Sequence, residues 1–519
     1  MTKKTKWIAA TFIGAPVIGG LALYFLAKQH SSKIEPYIRD QAVEYLRDKF
    51  KAEVEIARLQ IDIPPLSPMK LYVSKGKGVL ASVTANGIFL KRHEHALLRM
   101  QSLRFEVDLG GLFDPHKGVT AVYADGVEIV IPPKGEAKSN PDSGPKKAPP
   151  DIRIGEIILT NAKLVISPRD PKRVPLEFDL HRVRLTDAGP AAPMKYEAAL
   201  RNAKPPGEID ATGNFGPWNA DEPGDTPLDG DYKFEHADLG VFNAIAGSLN
   251  STGHFVGQLN DIFATGEATV PEFALKSVGN KVPVYAKFEV QVDGTNGNTV
   301  LKPVHGRIGQ TAFVTSGGII KHDGDERRTI SLDVNMPSGR LQDVLLLAMK
   351  GPTPFMQGKL QMKSKILLPP LSGKVVQKLH LNGDFTITDG MFLRSQIQDR
   401  IDKMSRQAQG QPENASIDQV VSVMSGKFEL ANEAVTLKNL LFGIPGADLK
   451  LDGTYNLIGE TLDFHGDLRL KAKLSETQTG WKRWALKPVD PFFAKNGAGL
   501  YTKIGITGTR KEPKFGREK

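Results

Sequence analysis

The sequence predicts a mostly β chain, with an N-terminal transmembrane helix followed by an elongated antiparallel sheet and a few short helices. Three observations carry this. Beyond Ala52 apolar residues recur with a period of two, the signature of half-buried strands. One long uncharged apolar run lies near the N-terminus, and helical spacing is confined to short segments. The 51 Gly and 35 Pro are spread along the 519 residues, as expected where many turns join many strands.

The run from Trp7 to Ala27, WIAATFIGAPVIGGLALYFLA, has 21 residues, enough to cross a hydrocarbon core of ~30 Å as a helix. Lys3, Lys4 and Lys6 precede it, which places residues 1–6 in the cytoplasm. Trp7 and Tyr24 sit near its ends, where amphipathic rings favour the interface, and Phe12, Leu21 and Leu26 complete the anchor. A cleaved signal peptide is the competing reading. Its apolar core spans roughly 7–15 residues and ends at a small-x-small site, which Leu23-Tyr24-Phe25-Leu26 before Lys28 does not offer. The remainder of the chain then lies on the far side of the membrane.

Residues 28–50 carry an amphipathic helix, with Ile34, Ile38, Ala42, Tyr45 and Leu46 at helical spacing, expected to pack onto the first strands. Residues 51–134 read as a first β region. In EVEIARLQIDI the alternation slips at Ala57-Arg58, which predicts a bulge. TAVYADGVEIVIPP predicts a hairpin about Asp125-Gly126. Residues 135–150, GEAKSNPDSGPKKAPP, form a Pro-rich linker without a large apolar residue and mark a domain boundary. Residues 151–519 follow as a second β region. There KVPVYAKFEVQVDG sets Val282, Val284, Phe288, Val290 and Val292 on one face, and GKLQMKSKI does the same with Leu360 and Met362. Helical stripes are expected at Leu341 to Met349, Leu393 to Gln407 and Ile417 to Met424.

The segment from Thr461 to Ser475, TLDFHGDLRLKAKLS, alternates throughout, with Leu462, Phe464, Leu468, Leu470 and Leu474 on one face. As a single strand it would run roughly 45 Å. Leaving those five side chains in water forgoes ~1.5–3 kcal/mol each, so something must cover them. A second sheet, helices and lipid are the candidates, and the expected helices are few and short.

Several chemistries are poorly supported. With no cysteine there is no disulfide, thiol catalysis or Cys-based zinc site. Net charge is +10, which favours anionic partners, but no Lys/Arg run is interleaved with aromatics as nucleic-acid binding would require. His93-Glu94-His95 lacks the i,i+4 histidine of a zincin and reads as a polar hairpin rather than a metal pair. The stretch from Asp293, DGTNGNT, places Gly297 and Val304 where a calcium loop needs ligands, and reads as a tight turn. The segment HDGDER from His322 reads as a hairpin tip, and phosphate-loop and nucleophile-elbow motifs are missing. No cofactor, metal or small-molecule substrate is expected, and the chain is not expected to be an enzyme.

Longer phrases carry a resemblance. TGHFVGQLNDIFATGEATVPEFAL from Thr252, VQVDGTNGNTVLKPVHG, LLFGIPGADLKLDGTYNL, LDFHGDLRLKAKLSETQTGWKR and VDPFFAKNGAGLYTKIGITGTRKEPKFG resemble the C-terminal region of the AsmA-like family of bacterial membrane-anchored periplasmic proteins. The resemblance covers roughly residues 150–519, and residues 1–135 are similar to the family's anchor–helix–strand opening. It implies a curved sheet of the repeating β-groove type, related to bridge-like lipid-transfer proteins. It also implies an inner-membrane location, with the bulk of the chain periplasmic, and a role in phospholipid traffic toward the outer membrane. With the resemblance, lipid becomes the expected cover of the apolar face. The groove candidates are then Val282, Val284, Phe288, Val290, Val292, Leu360, Met362, Leu462, Phe464, Leu468, Leu470 and Leu474. The alternative is a non-enzymatic factor assisting outer-membrane protein assembly, whose apolar face is a packed sandwich core. About twenty strands at ~4.8 Å spacing would extend roughly 100 Å.

Overall fold

The computed structural model describes helical positions between 36 and 47 and most of residues 52–518. Outside the described residues lie 1–35, 63–79, 109–116, 134–151, 169–173, 189–192, 218–224, 371–373, 412–418, 478–486, 491–498 and some single positions. The anchor candidates Trp7, Phe12, Leu21, Tyr24 and Leu26 fall there. Among the described residues no helix is long and apolar enough to cross a membrane. The described chain is mostly strand, with few helices. It divides into two compact units. One holds residues up to Asp238 with Leu249–Gly266 and Gln291–Gly297; the other holds Leu239–Ser248, Glu267–Val290 and Asn298–Lys519.

The first unit opens with β1 (Glu53–Asp62), β2 (Leu80–Arg92), β3 (His95–Asp108) and β4 (Lys117–Ile131), paired antiparallel in sequence order. Next come β5 (Ile152–Ile166), β6 (Leu176–Ala188), β7 (Met194–Arg201), β8 (Glu208–Phe215) and β9 (Pro227–Asp238), again antiparallel neighbours. The join between the two runs departs from the all-antiparallel expectation, because β4 and β5 pair in parallel from Lys117 opposite Ile152 to Ile131 opposite Ile166. A parallel neighbour needs a crossover of a dozen or more residues, which the Pro-rich segment between these strands is long enough to supply. The strands on its two sides therefore share one ladder and one core.

The alternation slips at Ala57-Arg58 as expected, but not through a bulge: Ile56 pairs with Ile88 and Arg58 with Asn86, so Ala57 and Gly87, which has φ +63°, are skipped one on each strand and the register does not shift. The hairpin expected at Asp125-Gly126 is not formed. β4 runs straight through, with Gly126 at φ +62° kinking the strand between the pairs Ser102–Asp125 and Met100–Val127 without a register shift. A positive-φ glycine serves a turn or an in-strand kink, and here pairing with β3 on both sides keeps the strand continuous. The Asp125 carboxylate accepts bonds of 2.7 Å from both Thr160 Oγ1 and Asn161 Nδ2, tying the kink to β5. Arg92 pairs with His95, as the polar hairpin reading requires.

One contiguous core fills this unit. Ile56, Val83, Leu103, Phe105, Val122, Val127, Ile157 and Met194 belong to it, and Val122 and Val127 are 0% and 1% exposed. Ala42 joins this core and Val43 packs against it, so the helical positions 42 and 43 rest on the first strands, while Ile34, Ile38, Tyr45 and Leu46 of the expected stripe lie outside the described residues.

The second unit begins with β10 (Ile245–Ala246), which pairs with the end of β12 (Asp261–Leu275) at Ala274 and Leu275; β11 (Ser248–Gln258) past Ser248, and β12 up to Gly266, belong to the first unit. β13 (Val282–Val292) leads to β14 (Thr299–Ile308) through a turn in which Asp293 accepts the Thr295 N–H and both side chains of Thr295 and Asn296. That is the Asx-type turn expected of DGTNGNT. An antiparallel run follows in sequence order: β14, β15 (Thr311–Ile320), β16 (Thr329–Arg340), β17 (Met356–Leu368), β18 (His380–Phe392) and β19 (Ser422–Ala431). It continues through β20 (Ala434–Ile444), β21 (Ala447–Asn456), β22 (Thr461–Leu470), β23 (Leu500–Thr509) and β24 (Pro513–Arg517).

Three helices accompany these strands: α1 (Leu341–Ala348), α2 (Val375–Lys378) and α3 (Ser395–Ala408). The first and third match the expected stripes. The helix expected from Ile417 to Met424 is corrected, because Ser422, Val423 and Met424 begin β19. Val423 is exposed while Ser422 is buried, an alternation that only a strand imposes on so short an apolar run.

Candidate functional site

The candidate site is the apolar face of the second unit's sheet, and its residues come from every second position of β16 to β23. Cross-strand register lines them up in rows. Leu449, Leu468 and Thr502 form one row, Leu451, Gly466 and Ile504 the next, then Gly453, Phe464 and Ile506, then Tyr455, Leu462 and Gly508. The opposite face carries Asp463, His465 and Arg469 on β22, all exposed. It also carries ion pairs such as Lys365–Asp333 (3.4 Å) and Lys438–Glu429 (3.4 Å), solvated contacts that add little stability.

Three clusters pave the apolar face. The first holds Met336, Leu341, Met356, Leu360 and Ile387, with Met362, Phe385, Phe392 and Met424 against it. The second holds Leu440, Leu451 and Phe464, flanked by Phe385, Met424, Leu437, Leu449, Tyr455, Leu462, Ile504 and Ile506. The third holds Ile401, Ala408, Val420, Ile444, Ala447 and Leu470, flanked by Phe392, Leu468 and Leu500. Phe385 and Met424 touch the first two clusters and Phe392 the first and third, so the paving is continuous.

What covers these clusters differs. α1 contributes Leu341, Val344 and Leu345 to the first, and α3 contributes Ile401, Met404 and Ala408 to the third. Both helices lie in connections that leave the same rim of the sheet, since Met356 pairs with Phe392 and Leu470 with Ala447 and Leu500. At the other rim β19–β20, β21–β22 and β23–β24 are joined by short turns. Among the described residues no helical residue enters the second cluster, and its flanking members remain half-buried. Every member of the second cluster comes from β18 to β23 of the same sheet. The uncovered stretch runs from Phe385 on β18 to Ile506 on β23, about 24 Å at ~4.8 Å per strand.

Phe464 is 8% exposed without a covering helix because its ring lies on a glycine. It pairs with Gly453, where a Cβ would fall 2.6 Å from Phe464 Cδ1. Phe428 lies likewise over Gly383, and Phe313 over Gly306. Flat rings on glycine backbone give a low, even apolar floor.

The helical cover is fixed by buried polar bonds. Gln398, 3% exposed, accepts the Phe392 N–H (2.9 Å) and donates to Val420 O (2.9 Å) and Asp402 Oδ1 (2.8 Å). Ser405 donates to Pro445 O (2.8 Å), and the end of α3 meets the tight turn at Gly446, which has φ +87°. α1 is held at its start by Asp343, which accepts the Gln310 N–H and the Thr311 hydroxyl, and at its end by Asn280, which donates to Leu346 O and Met349 O. At the open rim burial, with Glu460 nearby, pushes the Tyr455 hydroxyl's pKa up, and Arg510 opposes it.

The expected site residues divide as follows. Leu360 and Met362 enter the first cluster, Phe464 and Leu462 the second, Leu470 and Leu468 the third. On β13, Val282 is buried while Val284, Phe288 and Val290 are half-buried; Val292 ends the same strand but belongs to the first unit. Leu474 is a correction. β22 stops at Leu470, and Leu474 begins a 3-10 turn, its side chain outside the described residues. The cause is the partner: β21 starts at Ala447, opposite Leu470, so no ladder is left for Lys471 onward. Instead the Ala472 N–H bonds Ala408 O at the end of α3 (2.9 Å). The 45 Å strand shortens to ten residues, about 33 Å.

Sequence reasoning missed Met336, Phe385, Ile387, Met424, Leu440, Ile504 and Ile506. For Phe385, Ile387, Ile504 and Ile506 the signal was the alternation in FTITDGMF and TKIGITGT. Among the described residues no group of three or more His, Asp or Glu side chains is placed to hold a metal ion. No family model matches the chain, and neither a curated protein nor a solved structure matches it.

Proposed function

We propose that this chain is a non-enzymatic, membrane-anchored periplasmic lipid carrier of the AsmA-like, repeating β-groove type. Phospholipid acyl chains lie on the apolar face of the second unit and move along it from the inner toward the outer membrane. The single observation that carries the reading is the second cluster, a contiguous apolar floor with no helix over it and half-buried flanks. An acyl chain fills one leaflet, about half of a ~30 Å hydrocarbon core, so a stretch of about 24 Å accommodates it lengthwise. Covering the floor with hydrocarbon gains ~25 cal/mol per Å² of apolar surface removed from water, without a specific polar contact. The helices that pack on the face, α1 and α3, lie along one rim, and the short β19–β20, β21–β22 and β23–β24 turns leave the opposite rim of the second cluster for headgroups, which stay in water. The family resemblance and the Trp7–Ala27 segment support the membrane context.

A second reading, an assembly factor whose apolar face is a packed core, draws on the first unit, where the equivalent face is sealed. The two separate on lipid content. The full chain, purified in detergent and washed, is extracted and its lipids quantified by mass spectrometry beside Leu462→Asp, which keeps the anchor. The carrier reading expects phospholipid in excess over the variant. Equal lipid in both contradicts it and favours the assembly factor.

A further inference from the structure

On the outward face of β22 the His465 ring lies between two carboxylates. Its Nε2 is 2.9 Å from Asp463 Oδ1 on the same strand, and its Nδ1 meets Glu518, which follows β24. A neutral imidazole has one N–H and must turn a lone pair toward one of these oxygens. Only the imidazolium donates to both. The two carboxylates are approached from opposite sides of the ring, so they bridge a cation rather than converge on a metal.

The surroundings are acidic on balance. Asp452 stands directly opposite His465 on β21 with Lys450 beside it, and Asp463 and Asp467 flank the ring on β22. On β23 Gly505 is opposite, between Lys503 and Thr507; on β24 Gly516 follows, with Lys514 and Glu518 on the same face. The Asp467 carboxylate accepts the Tyr501 hydroxyl (2.6 Å), and the Asp452 carboxylate accepts the Asn439 N–H (2.6 Å). Gly505 lets the contact form, because a Cβ there would collide with the Glu518 carboxylate as it reaches across β23. All five residues of β24 are exposed. Its ties to the sheet include the β23 ladder, the Glu518 N–H to Lys503 O (3.1 Å) and this contact.

We propose that His465 is a proton-operated latch: its imidazolium ties β24 to β22 across β23, and loss of the proton frees Glu518 and lets β24 fray. The release falls on Glu518 because Asp463 shares a strand with the ring. Hydrogen bonding to Glu518, then to Asp463, raises the ring's pKa above its ordinary 6.5. A raised folded-state value means that the latch is fully engaged below about pH 6.5 and is lost as pH rises through the higher folded value. On the other face of β24, Phe515 continues the row Gly453–Phe464–Ile506 and is 68% exposed, so fraying withdraws the last apolar side chain of that row. The latch concerns β24 alone and stands whatever the apolar face carries.

Hydrogen exchange on the full chain tests it, with rates corrected for the intrinsic pH dependence. The latch predicts that peptides over 513–517 exchange roughly fivefold or more faster above the transition than near pH 5.5, while β21 peptides hold constant. His465→Gln, at an exposed position, and Glu518→Gln, at a half-buried one, should exchange fast at every pH. Equal protection of wild-type β24 at both pH values overturns the proposal, as does a pH step that survives in His465→Gln.

Discussion

Replacing Leu462 with aspartate separates an open apolar floor from a packed core, and Val122→Asp supplies the comparison. Leu462 lies in the row Tyr455–Leu462–Gly508, half-buried and touched by no helix. Full burial of a leucine is worth ~1.5–3 kcal/mol, so half of it on an uncovered face is about 1 kcal/mol, and a carboxylate there keeps its water. Val122 is 0% exposed in the first unit's core. A carboxyl buried there suffers a pKa rise of ~3–5 units at 1.36 kcal/mol each, roughly 4–7 kcal/mol. That is comparable to a net stability of ~5–15 kcal/mol. Thermal unfolding followed by circular dichroism should show Leu462→Asp folded, with Tm lower by about 2–4 °C. Val122→Asp should fail to accumulate as folded protein. If Leu462→Asp behaves like Val122→Asp, the face over β21–β23 is a sealed core and the open-floor argument is wrong.

Further outcomes follow from the polar ties. Gln398→Ala strands the Phe392 N–H and the Val420 carbonyl beneath α3, which should cost about 2–4 kcal/mol in denaturant unfolding and loosen α3 in hydrogen exchange. Asp490 accepts both the N–H (2.8 Å) and the hydroxyl (2.7 Å) of Ser475. Burial pushes its pKa up, but the Ser475 bonds, with Lys473 and Lys487, outweigh it and hold the carboxyl below its ordinary 3.8. A depressed folded value contributes stability that is present above about pH 4 and is lost as pH falls through the folded pKa. Wild type should therefore lose stability more steeply below pH 4 than Ser475→Ala, measured by acid titration of unfolding midpoints.

Much of the second unit was legible in the sequence, because a strand with one buried face writes its burial at every second residue. β21 follows its alternation through Tyr455, and β13 does so except at Tyr285, which is half-buried on the polar side. Long-range pairing was not legible. Alternation continues through Lys471 to Leu474, yet the strand ends where β21 begins, a limit set by a residue more than twenty positions away. Asp125-Gly126 carries a local signal common to hairpin turns and in-strand kinks, and continuous pairing with β3, with the Asp125 bonds to Thr160 and Asn161 on β5, decides between them. The parallel pairing of β4 with β5 left no local trace at all. The candidate face was legible as a set of positions, whereas its cover was not. Whether Leu462 meets helix, sheet or solvent depends on where α1 and α3 dock, and Gln398, Ser405, Asp343 and Asn280 fix that through contacts distant in sequence.

The central claim is that lipid occupies the uncovered floor, and photo-crosslinking in the cell envelope tests it most directly. A benzophenone amino acid is placed at Leu449 or Leu462 on the floor, and at Lys450 or Asp463 on the outward face of the same strands. The account predicts phospholipid adducts, identified by mass spectrometry, at Leu449 and Leu462 and none at Lys450 and Asp463. Adducts equal on both faces, or none at the floor positions, would contradict it.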